Sequence, residues 1–181
     1  MKIYVMRHGR TNWNEKRITQ GRSQNQLSKT GKTEMVTVAK NFEDNQIDLI
    51  ICSPLRRTVQ TANIMNAYHH VKIIKDPLLI EIDQGTFTGI KYSMLTEAEQ
   101  EAKRLRLPGY GLETYTDVYH RVKKFVEKLK TDYSSKTVLV VTHESLAVYL
   151  SEILAGNINI DSQNPFTMSR FMNAEIRKFE M

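Results

Sequence analysis

The chain alternates between short apolar, β-branched runs and longer stretches with helical spacing. Lys2-Ile3-Tyr4-Val5-Met6 halts at Arg7-His8-Gly9, and Asp48-Leu49-Ile50-Ile51-Cys52 halts at Ser53-Pro54. Val71 to Ile74 ends before Asp76, and Thr137 to Thr142 ends at His143-Glu144. Bounded runs of this kind predict buried strands. Between them, Met35, Val36, Val38, Ala39 and Phe42 recur at helical spacing behind Ser28, which predicts a helix with Ser28 as N-cap. Ser53 and Pro54 are expected as N-cap and first residue of a second helix reaching about Tyr68. Asp76 to Gly89 is rich in turns, Tyr92 to Arg106 is polar and weakly patterned, and Pro108-Gly109-Tyr110-Gly111 marks a loop. Val118, Val122, Phe125, Val126 and Leu129 define one face of a third helix, and Glu144 to Leu154 predicts a fourth that stops near Gly156. Ala174 to Phe179 alternates as a last strand. Strand and helix in this order predict an α/β, three-layer fold: a mainly parallel sheet with helices on both faces.

Composition narrows this picture. With 181 residues, 40% of them hydrophobic, the chain supports one substantial core, and a single domain over residues 1–181 is expected. The lone Cys52 lies in an apolar run and reads as a buried thiol, compatible with a reducing compartment. No apolar run has the length of a signal peptide core or a membrane span, so a cytoplasmic protein with no membrane partner is expected. The net charge of +6 and the isoelectric point near 9.4 ask for an anionic partner. The basic residues are scattered and no aromatic residues interleave with them, which disfavours nucleic acid and favours a small phosphorylated ligand.

Three strand ends carry the candidate chemistry: Arg7-His8, Ser53-Pro54-Leu55-Arg56-Arg57-Thr58 and Thr142-His143-Glu144, with Glu81 from the turn-rich stretch. In an open α/β sheet these ends share one edge, where ligands bind. Two histidines, arginines and a carboxylate around one pocket suit phosphate, because guanidinium groups fork onto its oxygens and helix N-termini add backbone donors. A Gly-rich phosphate loop is absent, so side chains must do the binding. Each residue also has a plainer reading. Strand-end histidines are often structural, Arg57 could cap or ion-pair its own helix as Arg56 is expected to do, and Glu81 could be a solvated loop carboxylate beside Asp83. Trp13 reads as loop packing, His69-His70 as a helix-end surface pair, and His120 as a solvated helix residue.

Arg7-His8-Gly9 with Thr11 and Asn14, Leu27-Ser28 before Gly31, Ser53-x-Leu55-x-Arg57 with Gln60-Thr61-Ala62, Glu81-Ile82-Asp83 before Gly85, and Val140-Val141-Thr142-His143 occur in that order. Together they resemble the histidine phosphatase superfamily, in its phosphoglycerate mutase-like branch. The resemblance implies a phosphoglycerate mutase-like fold and a catalytic set of His8, Arg7, Arg57, His143 and Glu81. It implies His8 as the nucleophile that becomes a phosphohistidine, with Arg7, Asn14, Arg57 and His143 around the phosphate and Glu81 as proton donor and acceptor. Gln20 and Gly21 match positions that touch the substrate, and no metal or cofactor is implied. The chain departs from the family pattern at several places. Glu144 stands where glycine is usual, beside the expected phosphate, either turned away at its helix N-terminus or facing inward. Arg10 stands where glutamate is common, Gln24 and Gln26 replace an aspartate and a proline, and Thr88 replaces a second glutamate. The expected activity is metal-independent hydrolysis of phosphomonoesters. The alternatives are a phosphoglycerate mutase on the same site, for which Lys103, Arg104 and Arg106 could supply basic contacts, and a non-catalytic phospho-ligand binder.

Overall fold

The structure, a computed structural model, describes residues 1–157, 159–160 and 163–181. Five strands form one sheet: β1 (Lys2–Arg7), β2 (Leu49–Cys52), β3 (Lys72–Lys75), β4 (Thr137–Thr142) and β5 (Ile176–Glu180), in the order β3-β2-β4-β1-β5. β1, β2, β3 and β4 pair in parallel, and β5 closes the β1 edge antiparallel. Every residue of β2 and all but the first of β4 are buried, as befits parallel strands covered on both faces.

Alternate side chains of these strands feed two cores. Ile3, Val5, Ile51, Val138 and Val140 face α5 (Tyr115–Asp132) and α6 (Glu144–Leu154). Tyr4, Met6, Ile50, Cys52, Leu139 and Val141 face α2 (Lys29–Asn41) and α3 (Arg56–Asn66). The result is the expected three-layer α/β sandwich. α5 forms because Thr114 caps Asp117 N–H and because Val118, Val122, Phe125, Val126 and Leu129 make one apolar stripe, each essentially sealed from solvent. Burying one such side chain contributes about 1.5–3 kcal/mol, so Phe125→Ala would remove a large share of this contact. No helix among the described residues is long and apolar enough to cross a membrane.

Several elements differ from the sequence expectations. The second helix begins at Arg56 with Leu55 at its N-cap, not at Ser53-Pro54. Ser53 N–H still donates to Val141 O, prolonging the sheet ladder, and its hydroxyl lies against His143, so the turn into the helix comes two residues later. A short helix α1 (Asn12–Glu15) interrupts the polar loop after His8, capped by Thr11 and Asn14. The polar stretch after Tyr92 contains α4 (Glu97–Leu105), nucleated by a capping box between Thr96 and Glu99. Arg56 is exposed, and its backbone N–H donates to Gln24 Oε1; no ion pair to it is formed among the described residues. His69, the helix-end histidine, packs its ring 5.6 Å from that of Phe42, while His70 and His120 are exposed.

Candidate active site

The three strand ends meet because the β-ladder continues beyond them. His8 N–H donates to Thr142 O at 2.9 Å, and Ser53 N–H donates to Val141 O at 3.1 Å, so the ends of β1 and β2 are held on either side of the end of β4. Thr142 Oγ1 donates to Leu79 O at 2.9 Å, which draws the segment carrying Glu81 to the same edge. Above this edge opens a cavity of about 700 Å³, whose wall includes Arg7, His8, Asn14, Arg57, Glu81 and Glu144.

His8 is 2% exposed, and both its ring nitrogens have partners. Nδ1 lies 2.7 Å from Gly9 O, and Nε2 lies 3.2 Å from Arg57 Nε. A carbonyl only accepts and a guanidinium only donates, so Nδ1 carries the proton and Nε2 holds a lone pair. Burial, then Arg57 and Arg7, push the His8 imidazole well below its ordinary value. The ring is therefore neutral near neutral pH, with its free lone pair on the nitrogen beside Arg57.

Arg57 is wholly buried and held by the loop after α1. Nη1 donates to Ser23 O at 2.8 Å and Asn25 Oδ1 at 3.0 Å, and Nη2 donates to Gly21 O at 2.8 Å. Gly21 sits at φ +46°, in left-handed backbone, and a Cβ there would come within 2.9 Å of Thr88 Oγ1. Its carbonyl thus aims Arg57. Gln20 Oε1 accepts from Thr11 Oγ1 at 3.1 Å and from Asn25 Nδ2 at 2.7 Å, which fixes the same loop. Burial lowers the Arg57 guanidinium to about 10, so it remains charged at neutral pH.

Arg7 donates through Nη1 to Phe171 O at 2.5 Å and pairs through Nη2 with Glu144 Oε2 at 2.9 Å, while its buried Nε has no partner among the described residues. Asn14 Oδ1 accepts from Thr11 N–H at 3.1 Å and Thr11 Oγ1 at 2.9 Å, which leaves its NH2 donors for a ligand. His143 is fully buried behind His8, with ring centroids 5.3 Å apart, and does not reach the cavity wall. Its Nε2 lies 2.8 Å from Ser53 Oγ, and its Nδ1 has no hydrogen-bond partner among the described residues. Burial and Arg57 hold its imidazole well below the ordinary value.

Glu81 Oε1 accepts from Ile82 N–H at 2.8 Å. Burial raises its carboxyl above the usual carboxylate range, against the pull of Arg57 and of the Ile82 N–H. Its segment is braced from below: Arg22 Nε donates to Glu81 O at 3.2 Å, Glu113 Oε2 accepts from Asp83 N–H at 3.0 Å, and Arg121 Nε pairs with Glu113 at 2.8 Å. Glu144 faces inward. It bridges Arg7 and Arg170, with Arg170 Nε at 2.5 Å. Arg10 points elsewhere and pairs with Glu34 at 3.3 Å, off the cavity wall. Sequence reasoning did not anticipate Arg17, Arg170 or Tyr92 on this wall, nor Ser53 as the partner of His143. Arg17 follows directly on the helix that the Thr11-Asn14 box would have revealed, whereas Arg170 precedes β5 with no local signal.

The family model of the histidine phosphatase superfamily (branch 1) matches residues 3–181. Phosphoserine phosphatase 1 of Hydrogenobacter thermophilus is 31% identical over 149 residues, covering 79% of this chain and 71% of that protein. The uncharacterized phosphatase PhoE of Bacillus subtilis is 29% identical over 180 residues, covering 98% of this chain and 87% of that protein. Among solved structures, the α-ribazole phosphatase of Shigella flexneri superposes with a TM-score of 0.87 at 21% identity, covering 100% of this chain and 91% of that one, which shows the same fold. This chain belongs to the histidine phosphatase superfamily, branch 1.

Proposed function

We propose that the chain acts as one domain hydrolysing phosphomonoesters, without a metal, through a phosphohistidine on His8. The observation that carries this is the pairing of His8: Nδ1 against Gly9 O and Nε2 against Arg57 Nε, which leaves a neutral ring with its lone pair aimed beside a buried cation. A structural histidine has no need of that tautomer, and a binder of phosphate gains nothing from a nucleophile.

In the first step His8 Nε2 forms a bond to phosphorus as the bond from phosphorus to the leaving oxygen breaks. Arg57 moves from Nε2 onto the phosphoryl oxygens, joined by Arg7 Nε and by the Asn14 amide, while His143 backs the His8 ring. Glu81, whose carboxyl burial pushes toward the protonated form, gives its proton to the leaving oxygen. In the second step Glu81 takes a proton from water, the water oxygen attacks phosphorus, and the N–P bond breaks. Phosphate departs and His8 is neutral again. The two phosphatase-named relatives support the hydrolytic outcome.

The test is release of inorganic phosphate from 4-nitrophenyl phosphate in excess EDTA, with His8→Ala falling by at least about a thousandfold. A denaturing quench at alkaline pH during turnover of labelled substrate should trap phosphate on His8. Interconversion of 3- and 2-phosphoglycerate with no phosphate release would overturn hydrolysis in favour of a mutase, and absence of both turnover and trapping would leave only a binder.

A further inference from the structure

The turn that leads into β5 reaches back to the end of β1. Asn173 is half-buried on it and does not line the cavity, yet its side-chain nitrogen meets two residues of the site. Nδ2 donates to His8 O at 3.1 Å and to Asn14 Oδ1 at 3.4 Å. An amide NH2 carries two hydrogens and here faces two acceptors, so its orientation is fixed: the amide oxygen in that place would meet two oxygens. The turn itself is firmly held. Ala174 sits at φ +64°, a left-handed conformation that alanine rarely adopts, and its N–H reaches Arg7 O and His8 O, each at 3.2 Å. Glu175 Oε2 accepts from Met172 N–H at 2.6 Å. Arg177 lies over the Phe171 ring, 3.8 Å from its centroid, and donates to Ser169 Oγ at 3.0 Å.

The peptide between His8 and Gly9 is thereby held at both edges, the carbonyl by Asn173 and Ala174 and the Gly9 N–H by Thr61 Oγ1 at 3.0 Å. With that plane fixed, Gly9 O stays 2.7 Å from His8 Nδ1 and keeps the ring proton there. Asn14 depends on the same nitrogen. The Thr11 hydroxyl has one proton for two acceptors, Asn14 Oδ1 at 2.9 Å and Gln20 Oε1 at 3.1 Å, so it cannot secure the Asn14 amide by itself. Asn173 brings Asn14 Oδ1 a further donor from a distant segment, which leaves the NH2 end for phosphate. We infer that Asn173 is a positioning residue of the phosphate site, acting through the His8 carbonyl and the Asn14 amide without touching the substrate. This inference rests on the proposed phosphatase reading, in which His8 attacks phosphorus and Asn14 binds its oxygens.

Two neutral variants test it. Asn173→Leu keeps most of the volume and loses both donors, and Asn173→Ala loses both without adding bulk. Each should lower kcat/KM for 4-nitrophenyl phosphate about tenfold and raise the Kd of inorganic phosphate, measured by calorimetry, about fivefold. In an Asn14→Ala background the same substitutions should change that Kd less than about twofold, because the amide they disorient is gone, whereas general structural damage would carry over in full. Asn173→Leu with parent-like activity would assign Asn173 to packing alone, and a fivefold effect that survives in Asn14→Ala would overturn the positioning role. Should Asn173→Leu not fold, Asn173→Ala supplies the same cycle. The Kd values need no turnover, so an inactive protein that shows the coupling would sink the phosphatase reading alone, and an active one without it would sink the positioning role alone.

Discussion

The Glu144 carboxylate lies 2.9 Å from Arg7 Nη2, with its other oxygen 2.5 Å from Arg170 Nε, so that an acidic side chain occupies part of a guanidinium on the cavity wall. Both Glu144 and Arg7 are largely buried, which makes the pair strong and its effect on an incoming dianion large. In the proposed reaction Glu144 would compete with phosphate for Arg7.

Glu144→Gln should therefore tighten phosphate binding. The inhibition constant for inorganic phosphate is expected to fall about fivefold, equivalent to about 1 kcal/mol, and KM for aryl phosphates should fall with it. The unliganded variant should melt at a lower temperature, because breaking a buried pair leaves Arg7 and Arg170 unanswered, and phosphate should raise its Tm more than it raises that of the parent. Weaker phosphate inhibition in the variant would refute the competition.

Arg57 cannot be replaced by lysine. A lysine has no counterpart to the fork that reaches Ser23 O, Asn25 Oδ1, Gly21 O and His8 Nε2 at once. Arg57→Lys is expected to lower kcat by about a hundredfold or more, measured by steady-state phosphate release, with the fold intact by circular dichroism.

The pH profile should report Glu81. Its carboxyl is raised by burial, and the step it serves needs the protonated form, so kcat for an alkyl phosphate should decline as pH rises through the raised value. Glu81→Gln should remove that limb and depress alkyl substrates far more than 4-nitrophenyl phosphate, whose leaving oxygen needs little help. An unchanged limb in Glu81→Gln would assign it to another group.

Stability should change with pH through the two histidines. His8 and His143 are lowered in the folded protein, so below about pH 6.5 the unfolded chain binds protons that the folded one does not. Their contribution is complete above that value and is lost as pH falls below it. Glu81 runs the other way: its carboxyl is raised, so its contribution is present in acid and is lost as pH climbs past its ordinary range. Denaturation midpoints should fall between pH 7.5 and 5.5, and the fall should be smaller in His8→Asn.

Glu113 is expected to be a positioning residue. It holds Asp83 N–H and both nitrogens of Arg121 that face it, and it also pairs with Arg22, which reaches Glu81 O. Glu113→Gln should lower kcat for alkyl phosphates while leaving KM near the parent value, with a shifted alkaline limb as the readout that a purely structural loss would not give.

The sequence by itself determined the layers and the edge where the chemistry gathers. Strands β1, β2 and β4 are legible because their β-branched runs stop at ionisable residues or, for β2, at Ser53-Pro54, and α5 because its apolar stripe repeats at helical spacing; both are local patterns. The capping box of Thr96 and Glu99 is equally local, but the polar stretch around it concealed α4. Tertiary structure decided what local pattern does not encode. The tautomer of His8, in the loop after β1, depends on Arg57 of α3, and the aim of Arg57 depends on the left-handed Gly21. Glu144 turns inward because Arg7 and Arg170 meet it from two other segments. Lys103 has no carboxylate partner among the described residues because packing of α4 carries it into the cavity wall while its neighbour Arg104 finds Glu101. Side-chain direction and charge balance are sums over residues far apart in the chain, so they exist only once the chain has folded.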